Sequence, residues 1–291
     1  MPNNFSMFCK TYNKDYVRVC NLVNSFNLHN KDGLKLYICV SRNEFDLFKN
    51  LKSENVDIIL DDDIPVQYFT EHIINGYTKG YLNQQIAKLG FWKLNKCNHY
   101  FCADSDLIFI RDFYESDFMY NNDTPFVDIN FWQPYIADKN MSDEHYHIHH
   151  DRIKKIRDTY GFRYSSNEKY LLSTTGFPVI STKVMEALEK DFLAPKNWNY
   201  KDLLKIVPTE FHWYSQWLIE KSNNYKTAPT PICVFRNEKE YAAYQEFGWN
   251  INDISKYYIG IILNSNWSAQ YHYGKPNKII LKLLNFLRKW I

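Results

Sequence analysis

The order of apolar segments in the first 110 residues constrains the fold of this chain most. Short apolar runs that read as buried strands lie at FSMFC (5–9), LKLYICV (34–40), VDIIL (56–60) and HYFC (99–102). Stretches with helical spacing separate them, such as the one after Asn13, a candidate helix cap, in which Val19, Leu22, Val23 and Phe26 share a face. This alternation predicts an α/β fold with a mainly parallel sheet covered by helices, in which ligands bind at the carboxyl ends of the strands.

An acidic triplet, Asp104-Ser105-Asp106, follows the fourth of these strands, and the apolar run 107–110 comes directly after it. Two carboxylates two residues apart at a strand end suit one hard cation such as Mg²⁺ or Mn²⁺. The alternative is an ordinary surface turn between two strands. A second acidic cluster, residues 61–63, follows the third strand and is read as a solvated loop that faces the same edge.

The second half of the chain is less regular. It contains strand-like runs at 124–132, 177–181, 231–235 and 259–263, and a charged helix or mobile segment at 142–160. Pro208 and Thr209 are typical of a helix start, which places Glu210 in the first turn. Glu210 is a candidate general base, although acidic residues are also favoured at helix starts by the backbone dipole. The histidines at 145, 147, 149 and 150 lack the spacing of a helical zinc site and indicate a polar segment.

Composition narrows the function classes. The chain has 291 residues, 45% of them hydrophobic, which suits one large globular domain. A net charge of +2 gives no case for nucleic-acid binding. Aromatic residues make up 18%, so some are expected at the surface, where they could stack on sugar rings, or else they fill the core.

The sequence also predicts a location. The first 15 residues lack a signal-peptide core, and no run reaches the roughly 20 apolar residues of a membrane span. Six scattered cysteines are expected to be free thiols in a reducing compartment, so the protein is expected in the cytoplasm. The amphipathic tail, residues 278–291, either rests on the inner face of the membrane or packs on the domain.

These features resemble, in order, the GT-A glycosyltransferases, in particular bacterial polysaccharide and capsule enzymes. The segments that carry the resemblance are KTYNKD (10–15), GYLNQQIAKL (80–89), YFCADSDLIFIRDF (100–113) and PTEFHWY (208–214). The resemblance implies that Asp106 binds the metal and that Asp104 binds the metal or the ribose. It also implies donor contacts, with Lys10, Thr11 and Asp15 at the base and ribose and with Gln84, Gln85 and Lys88 before the metal strand.

A second resemblance lies near the end of the chain, in YHYGKP (271–276). In retaining galactosyltransferases and glycogenin, a similar His-Gly-Lys-Pro pattern supplies a third metal ligand and a phosphate contact. The resemblance implies these roles for His272 and Lys275, although the spacing here is tighter and the segment also reads as a surface turn.

Taken together, the sequence predicts one GT-A domain with a nucleotide-sugar-binding half (1–110), an acceptor-binding half (111–277) and a C-terminal helix (278–291). The expected reaction moves a sugar from a UDP- or GDP-sugar, with Mn²⁺ or Mg²⁺, to a hydroxyl of a glycan or glycolipid in surface polysaccharide synthesis. Inversion and retention both stay open. The alternatives are a metal-dependent phosphatase, whose D-x-D motif normally follows the first strand, and a non-catalytic carbohydrate-binding protein.

Overall fold

The structure is a computed structural model that describes residues 3–128, 130–131, 143–163, 172–173, 178–235 and 238–263. Its strands are β1 (Asn3–Lys10), β2 (Lys35–Val40), β3 (Val56–Leu60), β4 (Ile73–Ile74), β5 (Tyr77–Thr78), β6 (Cys97–Cys102), β7 (Leu107–Phe109), β8 (Met119–Asn121), β9 (Thr124–Val127), β10 (Asn130–Phe131), β11 (Leu172–Ser173), β12 (Val179–Ser181), β13 (Lys226–Thr227), β14 (Ile232–Phe235) and β15 (Gly260–Leu263). Its α-helices are α1 (Tyr16–His29), α2 (Phe45–Phe48), α3 (Lys79–Gly90), α4 (Asp143–Tyr160), α5 (Thr182–Leu188), α6 (Tyr200–Ile206), α7 (Glu210–Lys221), α8 (Glu238–Glu246) and α9 (Ile251–Ile254).

The central sheet has five strands in the order β3-β2-β1-β6-β12. The first four run parallel, and β12 pairs antiparallel with β6. The chain therefore adds strands outward from β1 to β3 and then returns to the other side of β1 to form β6. A parallel sheet has its ligand crevice where the strand order reverses in this way, which here is between the carboxyl ends of β1 and β6.

Both faces of the sheet are buried, which explains why its strands read as continuous apolar runs. On one face, Phe8 packs with residues of α3, α5 and α7. On the other face, Met7 and Cys9 pack with the apolar side of α1. The residues of α1 that are buried are those that its spacing predicts, namely Val19, Leu22, Val23 and Phe26. The predicted mainly parallel sheet with covering helices is confirmed.

Strand β7, which follows the acidic triplet directly, belongs to a smaller sheet with the strand order β14-β15-β7. Strand β15 is antiparallel to β7, with Gly260 opposite Phe109 and Ile262 opposite Leu107. The end of β15 therefore lies beside Leu107, the residue that follows Asp106. The helix α7 of the second half packs against α3 and α4.

Most predicted elements agree with these bounds, but several observed elements were not predicted, among them α6, α8, α9, β8, β11 and β13. Two further differences lie near the site. Asn13 does not cap α1, since a 3-10 turn over Asn13–Asp15 precedes that helix and the Asn13 amide donates to Glu44 instead. The hairpin β4–β5 before α3 was not predicted, because its strands are only two residues long. The alternative of a helix at 142–160 is confirmed as α4.

The six cysteines are free, and all except the half-buried Cys20 are buried, as predicted. Within the described residues, no helix is both long and apolar enough to cross a membrane. The tail at 278–291 lies outside the described residues.

Candidate functional site

The acidic triplet lies at the carboxyl end of β6, at the crevice between β6 and β1. The Ala103 amide donates to the Phe8 carbonyl at 2.8 Å, which holds the triplet against the end of β1. The chain then turns, and the Leu107 amide donates to the Asp104 carbonyl at 3.1 Å. Ser105 and Asp106 are buried, whereas the Asp104 side chain is 40% exposed and is open to a cation from solvent.

A buried lysine connects this triplet to helix α7. The Lys88 ammonium, on α3, lies 2.8 Å from Asp104 Oδ1 and 3.2 Å from Glu210 Oε1. The Lys88 side chain is 5% exposed and the Glu210 side chain 10%. Three segments that are far apart in the sequence thus meet in one buried ion-pair network.

The electrostatics of the site agree with this network. Burial by itself would lower the pKa of Lys88, but the Asp104 and Glu210 carboxylates outweigh it and hold that pKa well above its usual value. The pKa of the neighbouring Cys9 thiol, at the end of β1, is raised by burial and then by Asp104. Lys88 is therefore a cation at neutral pH, and Cys9 is an inert thiol.

Helix α3 holds Lys88 in place through contacts at both of its ends. At its start, the Thr78 hydroxyl accepts a hydrogen bond from the Tyr81 amide at 3.3 Å. Near its end, the Lys88 carbonyl accepts one from the Tyr100 hydroxyl on β6 at 2.7 Å. The backbone of Lys88 is thus tied to the strand that carries the triplet.

Glu210 is the first residue of α7, as the Pro208-Thr209 pair predicts. The next residue, Phe211, places its ring 4.9 Å from the Lys88 ammonium. The Tyr81 hydroxyl of α3 donates to the Pro208 carbonyl at 3.4 Å, so the start of α7 is joined to α3. Glu210 therefore lies at the site, but in this structure one of its oxygens is paired with Lys88.

The predicted donor contacts at the end of β1 and just after it lie at the same edge of the sheet as the acidic triplet. Lys10 pairs with Asp61 at 3.1 Å, and Asp15 pairs with Arg18 at 2.6 Å. Thr11 is buried, and among the described residues nothing bonds to its hydroxyl. Residue 61 of the second acidic cluster is thus an ion-pair partner of Lys10.

Gln85 lies one turn before Lys88 on α3 and is 1% exposed. In the described part of the chain, neither polar atom of its side-chain amide has a hydrogen-bond partner. A buried amide without partners is costly, so such a group is commonly satisfied by water or by a ligand.

The donor set fits a hard divalent cation in part. Asp104 and Asp106 supply carboxylate oxygens of the kind that Mg²⁺ and Mn²⁺ prefer. Within the described ranges, no group of three His, Cys, Asp or Glu side chains is arranged to hold a metal ion. The predicted third ligand, His272, and the predicted phosphate contact, Lys275, lie outside the described residues.

Sequence reasoning proposed Lys88, Asp104 and Glu210 separately and missed their contact. Each was assigned a different role, to the donor, the metal and the acceptor. The local spacing gave no signal for this contact: Lys88 lies about 120° round the helix from the face of Leu82, Ile86 and Leu89, where a solvated lysine is expected.

The fold and this site define a mixed α/β protein whose mainly parallel sheet carries an acidic, lysine-bridged crevice at its strand-order reversal. The chain belongs to the family DUF6492, described as a family of unknown function, whose model matches residues 5–225. That range includes the triplet, Lys88 and Glu210. No curated protein sequence matches the chain.

Several solved structures are similar to this one at low sequence identity. Mouse xyloside xylosyltransferase 1 in its apo form has a TM-score of 0.48 and 11% identity, over 90% of this chain and 98% of that chain. An active-site mutant of LgtC has a TM-score of 0.45 and 13% identity, over 93% and 88%. The galactosyltransferase LgtC with donor and acceptor sugar analogues has a TM-score of 0.43 and 12% identity, over 93% and 87%.

Proposed function

We propose that this protein is a metal-dependent glycosyltransferase of the GT-A type. It moves a sugar from a UDP- or GDP-sugar to a hydroxyl group of a glycan or glycolipid acceptor. The observation that carries the proposal is the position of Asp104 and Asp106, at the carboxyl end of β6 and at the reversal of strand order. This is where open α/β sheets bind nucleotides, and paired carboxylates there suit a cation that bridges a diphosphate.

The formal charge of the site supports a divalent cation. Two carboxylates, those of Asp104 and Glu210, pair with the one ammonium of Lys88, and the Asp106 carboxylate follows two residues after Asp104. Formally, these three carboxylates and one ammonium leave two negative charges. When bound, Mg²⁺ or Mn²⁺ would neutralise charge on the departing diphosphate. Lys88 holds the Asp104 carboxylate from the protein side, while the exposed side of Asp104 stays open to the ligand.

His272 and Lys275 are proposed as the third metal ligand and a phosphate contact. Their support is the course of the chain: β15 runs toward the triplet and its last residue is Leu263, beside the start of β7. His272 follows nine residues later. An extended chain spans up to about 3.3–3.6 Å per residue, so this segment is long enough to return to Asp106.

Glu210 is proposed as the group that accepts the proton of the acceptor hydroxyl. A carboxylate at the site edge can do so once it is within hydrogen-bond distance of that hydroxyl. Its contact with Lys88 leaves the alternative that Glu210 is a structural anion and that the reaction retains configuration. The stereochemical outcome therefore decides between these two roles.

The remaining parts of the proposal rest on the sequence and on its resemblance to the GT-A glycosyltransferases. Lys10, Thr11, Asp15 and Gln85 would contact the donor, and residues 111–277 would bind the acceptor. The location would be cytoplasmic, with residues 278–291 resting on the inner face of the membrane, and the product would belong to bacterial surface polysaccharide.

The phosphatase alternative finds less support at this site. It needs the first aspartate as a free nucleophile, whereas Asp104 Oδ1 is 2.8 Å from the Lys88 ammonium. The triplet also follows the fourth parallel strand in chain order rather than the first.

The test is thermal unfolding of the protein with UDP, GDP, CDP, CMP or ADP, each with and without Mn²⁺. A ligand of the native state at 100 times its Kd stabilises by about 2.7 kcal/mol, so one diphosphate should raise the Tm only when Mn²⁺ is present. Asp106→Asn should abolish this shift, and His272→Ala should reduce it. The donor so identified is then tested for transfer, with the anomer of the product read by NMR.

Asp46→Asn is the matched control, because Asp46 is an exposed aspartate on α2 that pairs with Lys49, three residues away on the surface. It should leave the shift unchanged. A shift that appears without metal, or that survives Asp106→Asn, would contradict the proposal. An unchanged shift in His272→Ala would remove that residue from the metal site and leave the aspartates in place.

A further inference from the structure

A second candidate binding surface lies outside the family region, in the segment between β14 and β15. Four aromatic residues, Tyr244, Phe247, Trp249 and Tyr257, form what we call the aromatic patch. Their exposed fractions are 39%, 84%, 41% and 66%. The rings of Tyr244 and Tyr257 each lie 6.0 Å from that of Trp249, and contiguous exposed apolar groups mark binding surfaces more often than single ones do.

Backbone hydrogen bonds hold the part of the patch that contains Trp249. Helix α8 ends in a Schellman motif, in which the Trp249 amide donates to the Tyr244 carbonyl and the Gly248 amide donates to the Gln245 carbonyl, both at 3.0 Å. Gly248 supplies the left-handed conformation that this motif requires, with φ of 82°. The ring of Trp249 packs edge-on to Tyr244 at 6.0 Å, which is the apolar contact that accompanies the motif.

The residue after Trp249 is also held. The Asn250 side chain caps helix α9 by accepting hydrogen bonds from the Asn252 and Asp253 amides. Trp249 thus lies between the end of one helix and the start of the next, and its ring lies 6.0 Å from that of Tyr257. A side chain held in this way loses little conformational entropy on binding.

A concavity of about 490 Å³ adjoins the patch. This volume is within the range of about 300–1,000 Å³ that is typical of ligand pockets. Its lining combines Trp249, Tyr241 and Ile251 with the amide side chains of Gln245, Asn250 and Asn252. None of the described residues that line it is charged, and the nearby Asp253 and Lys256 pair with each other at 2.9 Å.

The aromatic and amide groups of this lining favour one class of ligand. Aromatic faces take the C–H faces of pyranose rings, and amides exchange hydrogen bonds with hydroxyl groups. The described lining carries no charged side chain, so it favours a neutral ligand over phosphate, anionic glycans or an anionic membrane surface, which need cationic side chains. We infer that the aromatic patch and its concavity form a binding site for a neutral oligosaccharide, separate from the crevice at the acidic triplet.

This inference does not depend on the proposed transfer reaction. The site lies in residues 241–257, beyond the end of the family match at residue 225. Strand β15, which follows it, joins it to β7 next to the triplet. Binding of an oligosaccharide here needs no glycan at the crevice; where the proposed transfer reaction holds as well, one long glycan could occupy both sites.

The test uses affinity electrophoresis of the full chain through gels that contain a neutral polysaccharide, with a glucan, a galactan or a xylan as separate probes. At least one neutral probe should retard the protein in the absence of nucleotide and metal. Trp249→Ala should weaken that affinity by at least about tenfold, the usual cost of removing a central aromatic contact, and Trp249→Phe should retain most of it. In ¹⁵N spectra, the Trp249 indole signal, identified by its absence in Trp249→Phe, should shift on titration with the same probe.

Tyr120→Ala is the matched control, because Tyr120 is 59% exposed and lies on β8, away from the patch. It should migrate like the wild type. The inference is overturned if no neutral probe retards the protein, if retardation survives Trp249→Ala, or if only an anionic polysaccharide or anionic vesicles bind. Because nucleotide-dependent melting is measured separately, either proposal can fail while the other stands.

Discussion

At the scale of single residues, Lys88 is the side chain that joins two carboxylates of the crevice. It is buried and contacts two carboxylates, so its removal leaves the almost buried Glu210 with an uncompensated charge. Breaking a buried ion pair on one side costs about 3–5 kcal/mol, whereas an exposed pair contributes about 0–1 kcal/mol. The difference follows from the low effective dielectric of the buried site.

Lys88→Met is therefore expected to lower the free energy of unfolding by several kcal/mol. The matched control is Lys183→Met, since Lys183 pairs with Asp123 at 3.7 Å while both side chains are more than two-thirds exposed. Urea unfolding measures both variants. The double variant Lys88→Met/Glu210→Gln should recover much of the loss. Equal losses in Lys88→Met and Lys183→Met would show that the Lys88 network contributes no more than a surface pair.

At the scale of elements, helix α3 is positioned by close packing at its end. A Cβ at Gly90 would lie 2.5 Å from Val66 Cγ1 and 3.0 Å from Ile64 Cγ2, both in the loop that follows the second acidic cluster. This loop is also bonded to α3 by Asn83, which exchanges two hydrogen bonds with the backbone of Phe69. The lack of a side chain at residue 90 lets the loop and the helix approach.

Gly90→Ala is expected to destabilise the protein by about 1–3 kcal/mol, because the added methyl group must displace packed side chains. Gly80→Ala, in the first turn of the same helix, has nothing within 4 Å of its added Cβ and should be neutral or stabilising by up to about 1 kcal/mol. Thermal or urea unfolding of the pair separates helix propensity from packing. A stabilising Gly90→Ala would contradict the close approach.

At the scale of the whole molecule, the central sheet is completed by a strand from the second half of the chain. Strand β12 pairs with β6, so that Ser181 is opposite His99. His99 is buried at this junction, and burial lowers its pKa from 6.5 to about 4. Unfolding of the whole chain is therefore coupled to the protonation of His99.

Folding lowers the pKa of His99, so the folded chain binds this proton less tightly than the unfolded chain does. Below pH 6.5 the unfolded chain binds a proton at His99 that the folded chain excludes until about pH 4. The contribution to stability is complete above pH 6.5 and is lost as the pH falls to 4, with a total of about 3 kcal/mol. His99→Leu should flatten the pH dependence of the unfolding free energy over this range, while His72→Gln, at an exposed histidine, should leave it unchanged.

The sequence by itself determined most elements of the first 110 residues and their type. Apolar spacing predicted β1, α1, β2, β3 and β6, because a strand buried on both faces and a helix with one buried side leave different periodicities. The position of the triplet at a strand end and of Glu210 at a helix start followed from the same local patterns. The hairpin β4–β5 and the 3-10 turn at Asn13 were missed, since segments of two or three residues carry no periodicity. Helices α6 and α8, of seven and nine residues, were also missed, because polar and charged residues interrupt their apolar spacing.

Only the tertiary structure decided which of these groups act together. The order of strands, the antiparallel addition of β12 and the approach of β15 to the triplet depend on pairing between segments that are distant in the chain. The contact of Lys88 with Asp104 and Glu210 spans more than 100 residues and forms because α3 and α7 pack over the same end of the sheet. Local propensity acts over a few residues, whereas a buried ion pair is selected by the desolvation cost of leaving any one of its members alone.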